Sequence, residues 1–140
     1  MILEKTTEYL EMQTNENYQI GLLYLAYLLI GADGVIDERE RIALLKIKNE
    51  EKIPDTRFDE FEQQISKLKE REIYLHGINL MSECTEEEKL TAFVHLYKMS
   101  EADGRVHAKE VRLLLYSIRQ LGIEFDDVVH RATQLRSKNG

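Results

Sequence analysis

The nine residues from 32 to 40 return in altered form 70 positions later, and this echo restricts the architecture more than any other feature. Ala32-Asp33-Gly34-Val35-Ile36-Asp37-Glu38-Arg39-Glu40 aligns with Ala102-Asp103-Gly104-Arg105-Val106-His107-Ala108-Lys109-Glu110. Beyond the turn, Tyr27 matches Tyr97, Leu44 and Leu45 match Leu114 and Leu115, and Ile53 matches Ile123. Each copy reads as an apolar helix, a glycine turn, a β-branched residue and a charged helix with Glu in its first turn. Repetition at a fixed separation signals equivalent supersecondary units. Gly34 and Gly104 can take positive φ without steric cost, which ends one helix and redirects the chain. Glu40 and Glu110 lie near helix N-termini, where the macrodipole favours a negative charge by a few tenths to about 1 kcal/mol. The repeat halves cover about residues 18–53 and 88–123 of a single domain, residues 1–140.

Periodicity fills in the rest. Residues 2–12 read as a first helix, with Asn15 or Asn17 placed to cap the next. From residue 18 to 32 only Gln19 is strongly polar, and a helix apolar on every side belongs in the middle of a bundle. Gly31 and Gly34 close it. Asp37 and Glu40 have the spacing of an N-cap and its partner, opening a charged helix that Pro54 stops. Asp55 is placed to cap the following helix, where Phe58, Phe61, Ile65 and Leu68 recur at helical spacing. Ile73, Leu75, Ile78, Leu80 and Met81 supply a short apolar helix. Thr85 and Glu88 form a second capping box ahead of Leu90, Phe93, Val94 and Tyr97. Val111, Leu114, Leu115, Ile118 and Leu121 mark a helix that Gly122 ends, and Val128, Val129, Ala132 and Leu135 mark the last. No stretch alternates strictly. The expectation is an all-α bundle of about seven helices with an internal pseudo-twofold repeat.

Charge and composition narrow the function. A net charge of −7 argues against general binding of nucleic acid, which needs clustered Lys and Arg, and against docking on anionic lipid. The one cysteine, Cys84, excludes an internal disulfide and reads as a small packing residue. The most apolar stretch, residues 20–32, is shorter than the about 20 residues that span a bilayer, and acidic residues precede it instead of a basic segment. The reading is a cytoplasmic chain without membrane insertion or an N-terminal anchor.

The acidic turns raise the question of a cation. Setting Asp33 at the fifth position of an EF-hand loop puts Gly34, Ile36, Asp37 and Glu40 at the sixth, eighth, ninth and twelfth. The second copy puts Asp103, Gly104, Val106, His107 and Glu110 at the same places. The first position fails, however, being Leu29 in one copy and Met99 in the other. Each loop is half a site. Two halves brought together would pool Asp33, Glu40, Asp103 and Glu110, whose mutual repulsion a hard divalent ion, Ca²⁺ or Mg²⁺, would relieve.

The paired Ala-Asp-Gly-x-[Ile/Val]-x-x-x-Glu pattern resembles the tellurite-resistance TerB family, which includes the N-terminal domain of a membrane-anchored DnaJ-like co-chaperone. The resemblance runs from about Ile20 to Leu121, with its specific motifs in the two turns. It implies about seven helices with internal twofold character in an intracellular protein linked to stress responses and protein–protein contacts. Its acidic turn positions, suspected of metal binding, fall on Asp33, Glu40, Asp103 and Glu110. His107 departs from the pattern where the first copy has Asp37, and imidazole suits softer metals. No His-Pro-Asp tripeptide occurs, so J-domain activity does not carry over.

Enzyme motifs are wanting. None of His76, His95, His107 or His130 follows a Glu by three residues, as a di-iron bundle requires, and there is no nucleophile elbow or phosphate-binding glycine loop. The histidines read as helix-edge residues, the charge run over residues 37–52 as a solvated face, and Tyr18, Tyr24, Tyr27 and Tyr97 as core aromatics. The sequence points to a non-enzymatic module that binds a protein partner, requires no cofactor, and presents an acidic turn surface. The alternative is a sensor or buffer of divalent metal.

Overall fold

Seven helices follow one another along the described chain: α1 (Ile2–Leu29), α2 (Glu38–Glu50), α3 (Asp55–Ile65), α4 (Glu70–Ser82), α5 (Glu86–Asp103), α6 (Ala108–Gln120) and α7 (Phe125–Asn139). The computed structural model describes the backbone of residues 2–30, 38–103 and 108–139, and the side chains of residues 16–30, 38–99 and 112–134. Among these residues there is no strand, so the all-α expectation holds.

Helix α1 is the axis. Every side chain from Leu22 to Leu29 is buried, as its apolar sequence demands, and α2 through α6 all pack against it. Its closest neighbour is α4, and two glycines set that distance. A Cβ on Gly21 would lie 3.2 Å from Met81 Cε and 3.3 Å from the Gly77 carbonyl oxygen, and one on Gly77 would lie 3.2 Å from Leu25 Cδ2. A Cβ at either place is a tight fit that makes its neighbours give by a few tenths of an ångström.

Two expectations need correction. No second helix starts at Asn15 or Asn17, because α1 runs unbroken for 28 residues. Residues 13–17 contain neither Pro nor Gly, and Asn17 spends its amide on Glu83 of the α4–α5 connection (3.0 Å) instead of a cap. Asp55 does not cap α3. The N-cap is Pro54, with no side-chain bond, and Asp55 is the first helical residue, paired with Lys48 Nζ at 2.6 Å. The helices marked by Leu75 and Leu115 are present, with both of these leucines exposed, since α4 turns Ile73, Gly77 and Met81 inward and α6 turns Leu114, Ser117 and Ile118. The proposed box at Asp37 and the closing glycines Gly31 and Gly34 lie outside the described residues. The Thr85–Glu88 box is formed in both directions, at 3.1 Å to the Thr85 hydroxyl and 2.9 Å to the Glu88 carboxylate.

The 70-residue repeat is a repeat of structure. α2 and α6 occupy equivalent spans, and the turns that end them share one hydrogen-bond pattern. Ile53 N donates to Lys48 O at 2.9 Å, and Ile123 N to Ile118 O at 3.0 Å. Glu51 N donates to Ile47 O and Leu121 N to Ser117 O; Lys52 N donates to Asn49 O and Gly122 N to Arg119 O. Each turn needs one left-handed residue, Lys52 (φ 54°) in the first and Gly122 (φ 71°) in the second.

Candidate functional site

Three features are candidates for function: the acidic turns, a polar junction inside the bundle, and an exposed aromatic face. Of the four turn carboxylates read from sequence, Glu40 stands half-buried in the first turn of α2. Asp103 ends α5 and Glu110 lies in the first turn of α6, but their side chains, and Asp33 altogether, fall outside the described residues. Among the described residues no group of three or more His, Cys, Asp or Glu side chains is arranged to hold a metal.

The polar junction sits where α2 ends against α1 and α5. Glu51 Oε1 accepts the Tyr18 hydroxyl at 3.0 Å and meets His95 Nε2 at 2.6 Å. Glu50 Oε2 lies 3.3 Å from His95 Nδ1, so each ring nitrogen faces a carboxylate. The Gln19 amide donates to the Glu51 carbonyl at 3.0 Å, and Arg57 on α3 donates in turn to Gln19 Oε1. Only 16% of the His95 side chain and 19% of the Glu51 side chain are exposed. Burial works against the Glu51 charge, yet the hydrogen bond and charge of His95, with the Tyr18 hydroxyl, outweigh it and hold the carboxyl below its ordinary range. Burial, and then the neighbouring Glu51 carboxylate, pushes the Tyr18 hydroxyl far up, so it remains a donor. A His–carboxylate pair can serve as a general base, but here the chain itself engages Glu51 Oε1 from two helices. The arrangement works as a staple across four helices.

Sequence reasoning missed this junction, assigning His95 to a helix edge and Glu51 to a solvated face. A signal was available in the repeat. Glu51 stands 70 residues before Leu121, and His95 stands 70 after Leu25, both of which are buried apolar residues. A polar residue at a register position that is apolar in the sister copy faces inward and needs a partner. The readings of Cys84 and the tyrosines stand. Burial pushes the Cys84 thiol up to about 12, where it stays protonated and packs, and Tyr18, Tyr24 and Tyr27 lie in the core.

The rings of Tyr74 and Tyr116 pair at 6.1 Å, joining α4 to α6. Tyr116 is 54% exposed, Leu75 47% and Leu115 43%. Arg112 and Arg119 lie one turn to either side of Tyr116, Arg71 lies one turn before Leu75, and all three are exposed. None of these arginines pairs with another described residue.

A family model described as Tellurite resistance protein TerB matches residues 19–133, which takes in both acidic turns and both ends of the repeat. No curated protein and no solved structure matches the chain.

Proposed function

The chain belongs to the tellurite-resistance TerB family, and from that premise we propose that it is a non-catalytic helical module that binds another protein through the aromatic face of α4 and α6. The observation that carries this reading is the Tyr74–Tyr116 ring pair bridging α4 and α6, with Tyr116 and Leu75 exposed and three exposed arginines nearby that pair with no other described residue. Singly exposed apolar residues are ordinary, whereas adjacent ones rimmed by charge mark contact surfaces. Tyrosine and arginine are also the side chains that most often dominate binding energy. Arg71, Arg112 and Arg119 stand around the pair, with Glu70 and Glu72 one turn before Tyr74 and Leu75, so the face fits a partner segment that combines apolar with charged side chains of both signs. The family's description ties it to tellurite resistance, which supports a place in stress-linked assembly within the cytoplasm.

The test is crosslinking and recovery from the native cell with wild type and with Tyr116→Ser/Leu75→Ser. Both side chains are substantially exposed, so the melting temperature should hold while the recovered partner is lost. Equal recovery of the same proteins by both forms sinks the reading. A parallel Asp33→Asn/Asp103→Asn variant decides whether the acidic turns contribute to the same contact.

A further inference from the structure

A cavity of about 200 Å³ opens between α1, α3 and α4, away from the α4–α6 face. Its walls bring together Ile20 and Tyr24 of α1, Phe61 of α3 and Leu80 of α4, with the carboxylates of Glu16 and Glu60 also lining it. Glu16 and Glu60 are exposed, whereas Tyr24 is only 7% exposed and Phe61 1%. Neither Lys nor Arg lines the space. The Tyr24 hydroxyl makes no hydrogen bond to another described residue and still reaches solvent at this cavity, so an entering donor can meet it. The Tyr24 and Phe61 rings are tilted by 53° at a centroid distance of 5.8 Å, giving the cavity an aromatic floor.

We propose that this cavity is a binding site for an alkylammonium group, namely the side chain of a lysine presented by a partner protein. The volume is below the about 300–1,000 Å³ of pockets for drug-sized ligands or cofactors, and it suits one inserted side chain. Every part of a lysine side chain meets a matching wall. The four-carbon stem lies along Ile20 and Leu80, and the ammonium donates to the unpaired Tyr24 hydroxyl. The aromatic floor attracts a cation electrostatically. Glu16 and Glu60 supply the negative charge that offsets the cost of partly desolvating the ammonium. A compact charge on a flexible stem fits this depth better than the planar fork of arginine, which seeks two carboxylate oxygens at once. The overall charge of −7 draws such a ligand in. The proposal rests on this cavity alone and stands or falls independently of the α4–α6 face.

The experiment is an NMR titration with a capped pentapeptide carrying one central lysine between alanines and glycines. Beside it run the same peptide with norleucine in place of lysine, and n-butylammonium. Saturable shifts at Ile20, Tyr24 and Leu80 are expected with the lysine peptide, and none with the norleucine peptide, which keeps the stem and removes the charge. Tyr24→Phe keeps the ring and should weaken binding about fivefold, the size of one lost hydrogen bond. Glu60→Gln, at an exposed position, should weaken it about threefold and reduce its dependence on salt. Equal binding of the norleucine peptide overturns the proposal, as does an absence of shifts at millimolar lysine peptide. An unaltered affinity in Glu60→Gln at an unaltered melting temperature also overturns it. Binding of n-butylammonium as tight as the lysine peptide would overturn the assignment to a partner protein.

Discussion

The two halves of the repeat close their second helices with the same turn and fill it with opposite chemistry. In the first half the turn holds Glu51 and Lys52; in the second it holds Leu121 and Gly122. Leu121 is 8% exposed and packs as an apolar plug, while Glu51 gathers Tyr18, His95 and, through its carbonyl, Gln19. His95 itself occupies the register of Leu25 in the other copy. One backbone frame therefore tolerates either a hydrophobic or a hydrogen-bonded solution at the same place. What the frame demands is that the position be satisfied.

The largest effect that can sharpen this comparison lies in the cores of the two halves. Phe58 of α3 and Val128 of α7 stand 70 residues apart, each in the helix that follows one half, and both are buried. Phe58→Ala should cost about 3–5 kcal/mol, and Val128→Ala about 2 kcal/mol, both read by urea unfolding. Similar losses would mean that the halves are not packed to the same depth.

Next come the two turn positions. Glu51→Ala leaves the Tyr18 hydroxyl and His95 without their partner and should cost about 2–3 kcal/mol. Replacing the pair together, Glu51→Leu/His95→Leu, installs the chemistry of the second half. It should recover most of that loss, because an apolar replacement of a buried pair is often near neutral. A double variant as unstable as the sum of the singles would show that the halves are not interchangeable. The junction should also respond to pH, with a definite sign. The Glu51 carboxyl is lowered from 4.5, so its contribution is complete above that value and disappears as pH falls through the lower folded-state value. Unfolding at pH 7, 4 and 3 should therefore show a steeper acid loss in wild type than in Glu51→Gln. Parallel curves would remove the carboxylate from the account.

A smaller effect tests whether the two halves meet at their acidic turns. If Asp33, Glu40, Asp103 and Glu110 share a divalent ion, Ca²⁺ or Mg²⁺ at ten times the dissociation constant stabilises by about 1.4 kcal/mol. That is a rise of about 3–6 °C in melting temperature, to be absent in Asp33→Asn/Asp103→Asn. No shift at millimolar ion removes the shared site.

The smallest pair of effects carries opposite signs. Gly122→Ala places a Cβ in a left-handed conformation with nothing within 4 Å, so the cost is conformational alone, about 1 kcal/mol. Lys52→Gly relieves the same conformation in the first half and should stabilise by about 0.5 kcal/mol after the added freedom of the unfolded chain is counted. Thermal unfolding reads both, and like signs would break the equivalence of the turns.

Much of this was legible in advance, for reasons particular residues make clear. The run of buried leucines and tyrosines in α1 declared its own central position, and the Thr85–Glu88 spacing declared a helix start, because both signals are local. Asn17 and Asp55 misled because a side chain suited to capping can be claimed by a distant partner, here Glu83 and Lys48. The cavity beside Tyr24 and the arginine-rimmed tyrosine pair were invisible, since each assembles residues from two or three helices.

By itself the sequence determined the class of fold, the positions of most helices, the repeat and the family, since periodicity, glycine placement and caps act over a few residues. The unbroken length of α1 came only with the structure. The tertiary structure alone decided which polar groups were drawn inside. Burial is a property of how helices meet, and a carboxylate such as Glu51 changes from solvated surface charge to internal staple only when α1 and α5 close over it.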